Sequence, residues 1–339
     1  MRSARGAIQR SGVVLAAVMA VSVGLTAPAS AAPGGPDRKA LPAESTEMRA
    51  PALPEVSARS TSVDPTGYWT QEKMASAVSA DELATEQVGQ QSVPQPRSAP
   101  TGKPGTASEP VLPTQPQDGL QAQATAVPRT VGKLFFVNAA GRNSVCTAAT
   151  INSGDKDLIE TAGHCVYTAK AGWHSNILFA PAYYNGVSYL GTYNWRSART
   201  FSAWINDGNY NYDQAFVELY PRNGVRVVDA VGGNGLNYNY PTDQPNVRIW
   251  GYPAEGQYNG ELPYYCDGPT TDRSLFNSDA QMPCDMTGGA SGGPWLNSRI
   301  STDLGYVFAV TSRRTTSGTP YLLAVPHTSD TKAMYDLMG

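Results

Sequence analysis

The stretch that most constrains this chain is Cys284-Asp-Met-Thr-Gly-Gly-Ala-Ser291-Gly-Gly-Pro-Trp295. A serine hydroxyl is a weak nucleophile, so a protein that uses one holds it at a tight bend beside a base. The same bend must supply backbone N–H groups to the oxyanion that forms. Gly288, Gly289, Gly292 and Gly293 permit such a bend and a close approach of substrate. Pro294, Trp295 and Leu296 open an apolar run that can anchor it to a core strand. Taken alone, the stretch reads equally well as an ordinary Gly-rich turn.

Much of the first third of the 339 residues does not look like domain material. Arg2, Arg5 and Arg10 precede an apolar run from Val13 to Leu25, and Ala29-Ser30-Ala31 follows as a small-residue cleavage site. That layout predicts a secretory signal peptide over 1–31 and an exported, extracellular product. From Pro33 to about Gln123 the chain is rich in Pro, Ala, Ser, Thr and Gln. One short helix is expected there, capped by Thr70, with Trp69 and Met74 as a hydrophobic staple and Asp81-Glu-Leu as its extension. Residues 90–116 read as a disordered linker. These features predict a largely disordered prosegment over 32–129 and a folded unit over 130–339, with a stalk or wall-spanning linker as the alternative for the former. A formal net charge of −3 argues against nucleic-acid or anionic-membrane partners.

The four cysteines suit an oxidising compartment. Three pairings are possible. The local one joins Cys146 to Cys165 and Cys266 to Cys284. A zinc site competes, but the close CxxC spacing that such a site usually needs is absent, so no metal or other cofactor is expected. From Val131 onward short β-like runs recur: Val131–Val137, Cys146–Ile151, Leu158–Ala162, Ile177–Tyr183, Ala215–Leu219, Val247–Tyr252, Tyr306–Thr311 and Tyr321–Val325. Turn-forming clusters separate them, which predicts an all-β sandwich or barrel. Ser329–Met338 reads as one terminal helix capped by Ser329.

The chain holds three histidines. His164, in Thr161-Ala-Gly-His-Cys165, ends an apolar run beside a cysteine and is the candidate base. His174 reads as a loop residue, and His327 as structural or solvent-facing. A base histidine needs a carboxylate to fix its tautomer. Asp213, in Tyr212-Asp-Gln-Ala-Phe-Val217, stands at the mouth of a strand and is preferred over Asp207 and Asp229, which read as turn or surface acids.

The blocks around His164, Asp213 and Ser291, in that order, resemble the three signature blocks of chymotrypsin-fold serine proteases. Trp173 to Asn185 and the Cys284-Asp-Met-Thr-Gly-Gly block most resemble the secreted bacterial branch that includes glutamyl endopeptidases. The resemblance covers about Val131 to Met338. It implies two antiparallel six-stranded β-barrels with a C-terminal helix and a cleft site. Ser291 would be the nucleophile, His164 the base and then acid, and Asp213 the orienting carboxylate. The N–H groups of Gly289 and Ser291 would form the oxyanion hole. The implied activity is that of a monomeric endopeptidase acting on polypeptides.

Where digestive-type members keep an aspartate before the serine, this chain has Ala290, so latency would have to come from the prosegment. Val127-Pro128-Arg129-Thr130 is the candidate processing junction. For specificity, Asp285 would favour basic residues, whereas Arg313 and Arg314, after Thr311 on the expected pocket wall, would favour acidic ones. Two rivals are a catalytically silent binding protein on the same fold and a Gly-x-Ser-x-Gly esterase using Ser291, Asp303 and His327. The esterase reading lacks βαβ alternation before the serine.

Overall fold

The computed structural model describes residues 43–52, 67–81, 100, 102–114, 127–274, 277–315 and 318–339. The expected signal peptide, residues 82–99 and residues 115–126 lie outside them. Pro42–Gly339 pack as one compact unit.

Six strands close into a barrel: Val131–Val137, Asn143–Ile151, Leu158–Thr161, Ser175–Pro181, Tyr193–Phe201 and Ala215–Leu219. All pair antiparallel, and Ser175–Pro181 meets Tyr193–Phe201 to complete the ring. Alternation along these strands explains the closure. Leu134, Phe136, Cys146, Ala148, Ile159, Ile177, Phe179 and Val217 fill one cluster. Their neighbours Phe135, Val145, Ala149, Leu178 and Phe216 join another with Trp250, Tyr252, Leu296 and Val307 of the second sheet. Strands buried on both faces read as the nearly continuous apolar runs seen in the sequence.

The second sheet follows the spatial order Tyr264–Gly268, Val247–Gly251, Pro294–Asn297, Tyr306–Arg314, Tyr321–Pro326, Asn277–Pro283 and Thr271–Ser274. Gly235–Tyr238 lies beside Tyr306–Arg314 in parallel. Among the described residues this sheet is an open half-barrel, which corrects the second closed six-stranded barrel. Tyr264–Gly268 and Thr271–Ser274 stand at its two ends and do not pair with each other. The disulfide Cys266–Cys284 ties that edge to the loop leading to Ser291, and Cys146–Cys165 fastens His164's neighbour to the first barrel.

The segment before Thr130 is more ordered than its composition predicts. Ser45–Arg49 pairs with Tyr193–Phe201, and Gly105–Ser108 pairs with Gly235–Tyr238. Both borrow the unpaired backbone groups of a sheet edge, so they order without an apolar pattern of their own. The linker expected over 90–116 is corrected over this stretch. The helix Gln71–Ala75 forms with Thr70 accepting from the Lys73 N–H at 3.3 Å. Trp69 and Met74 are buried against Phe135 and Val145 of the barrel. Ser76 caps that helix, and Val78–Ser79 is extended, so Asp81 does not prolong it as expected.

The terminal helix spans Ser329–Asp336, and its cap is Thr328 rather than Ser329. The Thr328 hydroxyl accepts from the Asp330 N–H at 3.2 Å, and Thr331 reaches back to the Thr328 N–H at 3.0 Å. The Thr331 hydroxyl donates to the side chain of Gln214 at 2.8 Å, so the helix braces the segment carrying Asp213.

Candidate active site

His164 sits on a single helical turn, Gly163–Cys165, after the Leu158–Thr161 strand. Its ring Nδ1 lies 2.8 Å from Asp213 Oδ2, and its backbone N–H donates to Asp213 Oδ1 at 2.8 Å. Asp213 is fully buried at the mouth of the Ala215–Leu219 strand, where the Ser312 hydroxyl also donates to its Oδ2 at 2.6 Å. Three donors on one buried carboxylate fix the ring and leave Nε2 facing the serine loop. Asp207 is exposed at a helix end, and Asp229 takes a bond from Thr114, so neither competes.

The serine loop is held from both sides. Thr147 N–H donates to Ser291 O at 2.8 Å, and Gly292 N–H to Thr311 O at 2.8 Å. The Ala254 N–H donates to Gly288 O at 2.7 Å, which turns the next N–H, that of Gly289, inward. The Thr147 hydroxyl donates to Gly289 O at 2.8 Å. Gly289 has φ +96°, in the region that favours glycine. Ala290 is buried and apolar, so no acid precedes the serine.

Asp81 lies at the centre of the site, and the sequence reading gave it no such place. The Ser291 hydroxyl lies 2.9 Å from each of its carboxylate oxygens, and Gly289 N–H donates to Oδ2 at 3.1 Å. His164 Nε2 is 3.4 Å from Oδ1 and makes no hydrogen bond to Ser291 among the described residues. Burial alone would push the Asp81 carboxyl up, but His164, Ser291 and Gly289 hold it below the usual carboxylate range. Burial likewise opposes the His164 cation. Asp213 and Asp81 outweigh it and raise that ring to about 10. No local motif marks Asp81; only the fold brings it to the serine.

The other candidates separate. His174 is buried, stacked on Phe136 and bonded to Cys165 O at 3.1 Å; its burial, the largest effect, lowers it to about 3. His327 is buried, 2.6 Å from Glu160, with Nδ1 against Asn237 O. Asp303 receives the N–H groups of Arg129 and Thr130, so Ser291, Asp303 and His327 form no set. Cys146, His164 and Cys165 cluster closely, but the two sulfurs are bonded to each other and offer no thiolate to a metal. Asp285 is exposed and takes a bond from Gln257 at 3.2 Å. Thr311 is buried and accepts from the Trp295 indole at 2.9 Å. Arg313 pairs with the buried Asp279 and stacks over Tyr210 at 4.6 Å. Arg314 pairs with Glu255 at 2.8 Å.

No family model matches the chain. It is 32% identical over 177 residues to a glutamyl endopeptidase of Bacillus licheniformis, covering 50% of this chain and 48% of that protein. A Bacillus subtilis protein called an extracellular metalloprotease is 32% identical over 116 residues, covering 31% of this chain and 36% of that one. The chain thus spans half the length or less of these curated relatives. Among solved structures, a thermostable serine protease from an extremophilic microorganism matches at TM-score 0.58 and 30% identity, over 62% of this chain and 96% of that one. The chain belongs to the serine proteases of the chymotrypsin fold, a family of hydrolases.

Proposed function

We propose that this chain is the precursor of a secreted serine endopeptidase that cuts polypeptides through an acyl-enzyme. One observation carries the reading: the His164 ring, the Ser291 hydroxyl and the Gly289 N–H all converge on a single carboxylate. With a substrate carbonyl there instead, Ser291 Oγ attacks the carbon and its proton passes to His164 Nε2. The oxyanion is received by the N–H groups of Gly289 and Ser291, a donor of this kind being worth ~3 kcal/mol. His164 then protonates the leaving amine as the C–N bond breaks. Water, deprotonated by His164, releases the acyl group and restores the serine. Asp213, with Ser312 behind it, stabilises the imidazolium at both stages.

The mature enzyme runs from residue 130, after a signal peptide over 1–31 and a prosegment over 32–129. The Thr130 N–H already lies 3.0 Å from the Asp303 carboxylate, so a cut after Arg129 would leave a new ammonium beside an acid. Val127, Pro128 and Thr130 are buried, so that cut requires the junction to lift first. Export agrees with the word extracellular in the name of one relative, and no helix among the described residues is long and apolar enough to cross a membrane.

For specificity, Arg314 is the strongest of the four candidates. Its partner Glu255 is a side chain that an acidic substrate residue can replace, whereas the Asp279 partner of Arg313 is buried. The glutamyl endopeptidase relative agrees with an acidic preference. The test is a cleavage profile of the processed protein on a mixed peptide library beside Ser291→Ala. Cuts after acidic residues, present only with Ser291, are expected. If both samples leave the library intact, the silent binding protein takes precedence.

A further inference from the structure

The residues before the barrel do more than pack on it. Tyr68 donates to the Asn143 side chain at 2.8 Å, and the Trp69 indole to Asn176 O at 2.7 Å. Val78 and Ser79 pair with Ser144 and Val145, and Ala80 N–H donates to Val145 O at 3.1 Å. The chain is thus fastened to the barrel up to the residue before Asp81. The Asp81 N–H then donates to the Ser79 hydroxyl at 3.0 Å, a local turn that aims the carboxylate into the site. Gly288 makes room for this turn. A Cβ there would stand 2.3 Å from the Ser79 hydroxyl oxygen and 2.1 Å from Glu255 Oε1.

We propose that residues 68–81 are an inhibitory segment whose Asp81 carboxylate occupies the catalytic centre as a product mimic, and that its departure switches the enzyme on. The inference rests on the serine endopeptidase reading. A carboxylate in that place matches the acid that peptide hydrolysis leaves behind, with an oxygen on the oxyanion donor Gly289 and both oxygens on the serine. It cannot be consumed. Attack by Ser291 on its carbon would have to expel oxide, and the carboxylate already carries the negative charge that such a step would create. It also diverts the Ser291 hydroxyl away from His164 Nε2, so the serine has no base to take its proton. The site is therefore assembled and blocked at once, in contrast to a latent form whose oxyanion donor is misplaced.

The test is the rate at which a fluorophosphonate labels Ser291, read by mass spectrometry of the active-site peptide. The intact chain, intact Asp81→Ala, intact Asp81→Asn and the wild-type chain processed by limited proteolysis are compared. The processed chain is expected to label fast and the intact chain slowly. Both intact variants should label at least about tenfold faster than the intact wild type, because they lose hydrogen bonds to a charged acceptor, each worth about tenfold or more. Asp81→Asn keeps the shape of the side chain, so it guards against a folding defect in Asp81→Ala. If the processed chain labels fast but both intact variants stay as slow as wild type, Asp81 is not the plug. If the processed chain itself fails to label, the endopeptidase reading falls, and this inference falls with it.

Discussion

At the residue scale the site turns on two acids of different standing. Asp213 was legible because its segment pairs a polar mouth with an apolar strand, Ala215 and Val217 entering the core behind it. Ser312, which completes the cradle of that carboxylate, carries no signal of its own in the sequence. Asp213→Asn keeps the shape but puts an amide where two side-chain donors and a backbone N–H expect an acceptor. In the processed enzyme it should lower kcat by about 10⁴-fold, with KM little changed, in steady-state kinetics. The sequence reads Asp81 as an extension of the Gln71–Ala75 helix, because helix signals are local and its partners are not. Its effect on pH has a definite sign. Despite its burial, the His164 ring is raised from 6.5 to about 10, by Asp213 first and then Asp81, so its contribution to the folded state is full below 6.5 and lost as pH rises through about 10. Asp81 is lowered, so its contribution is present above its ordinary value and lost as pH falls through the depressed one. Asp213, Asp81 and the His174 ring are the titratable groups acting on His164. The difference in thermal stability between the intact chain and Asp81→Asn should therefore be widest near neutrality and narrow toward both extremes.

At the element scale, strands with strong apolar runs were read close to their true bounds, and strands that borrow an edge were not. Gly105–Ser108 consists of small polar residues between prolines; its order comes from Gly235–Tyr238, which no local pattern reveals. The terminal helix was found, but its cap was placed one residue late, since Thr328 and Ser329 are both good caps and only geometry separates them. Thr328→Ala should cost about 1 kcal/mol in denaturant unfolding. The disulfide Cys146–Cys165, with a sequence separation of 19, matters more because it fixes the residue next to His164. Replacing both cysteines by alanine should cost ~2–5 kcal/mol of stability. It should also lower kcat beyond any change in KM, because the base loses its fixed backbone.

At the scale of the whole molecule, the described segments before Thr130 are stitched to both sheets. Ser45–Arg49 extends the closed barrel, Gly105–Ser108 extends the half-barrel, and Asp81 reaches the site that the two sheets share. Composition hid this, since a segment rich in proline and small residues shows no core of its own. The junction adds a further expectation. Asp303→Asn should lower the unfolding midpoint of the processed enzyme more than that of the intact chain, because only a free Thr130 ammonium brings a full charge to Asp303. The nature of the plug also sets the timing of maturation. A side-chain carboxylate, not a peptide bond, rests against Ser291, so a chain holds none of its own bonds ready to be cut there. The first cut must then come from another protease, because an enzyme that prefers acidic residues does not cut after Arg129. Purified precursor should stay intact, alone or with a trace of processed enzyme, and mature when a protease that cuts after arginine is added. Maturation of the precursor alone would mean instead that the chain opens itself.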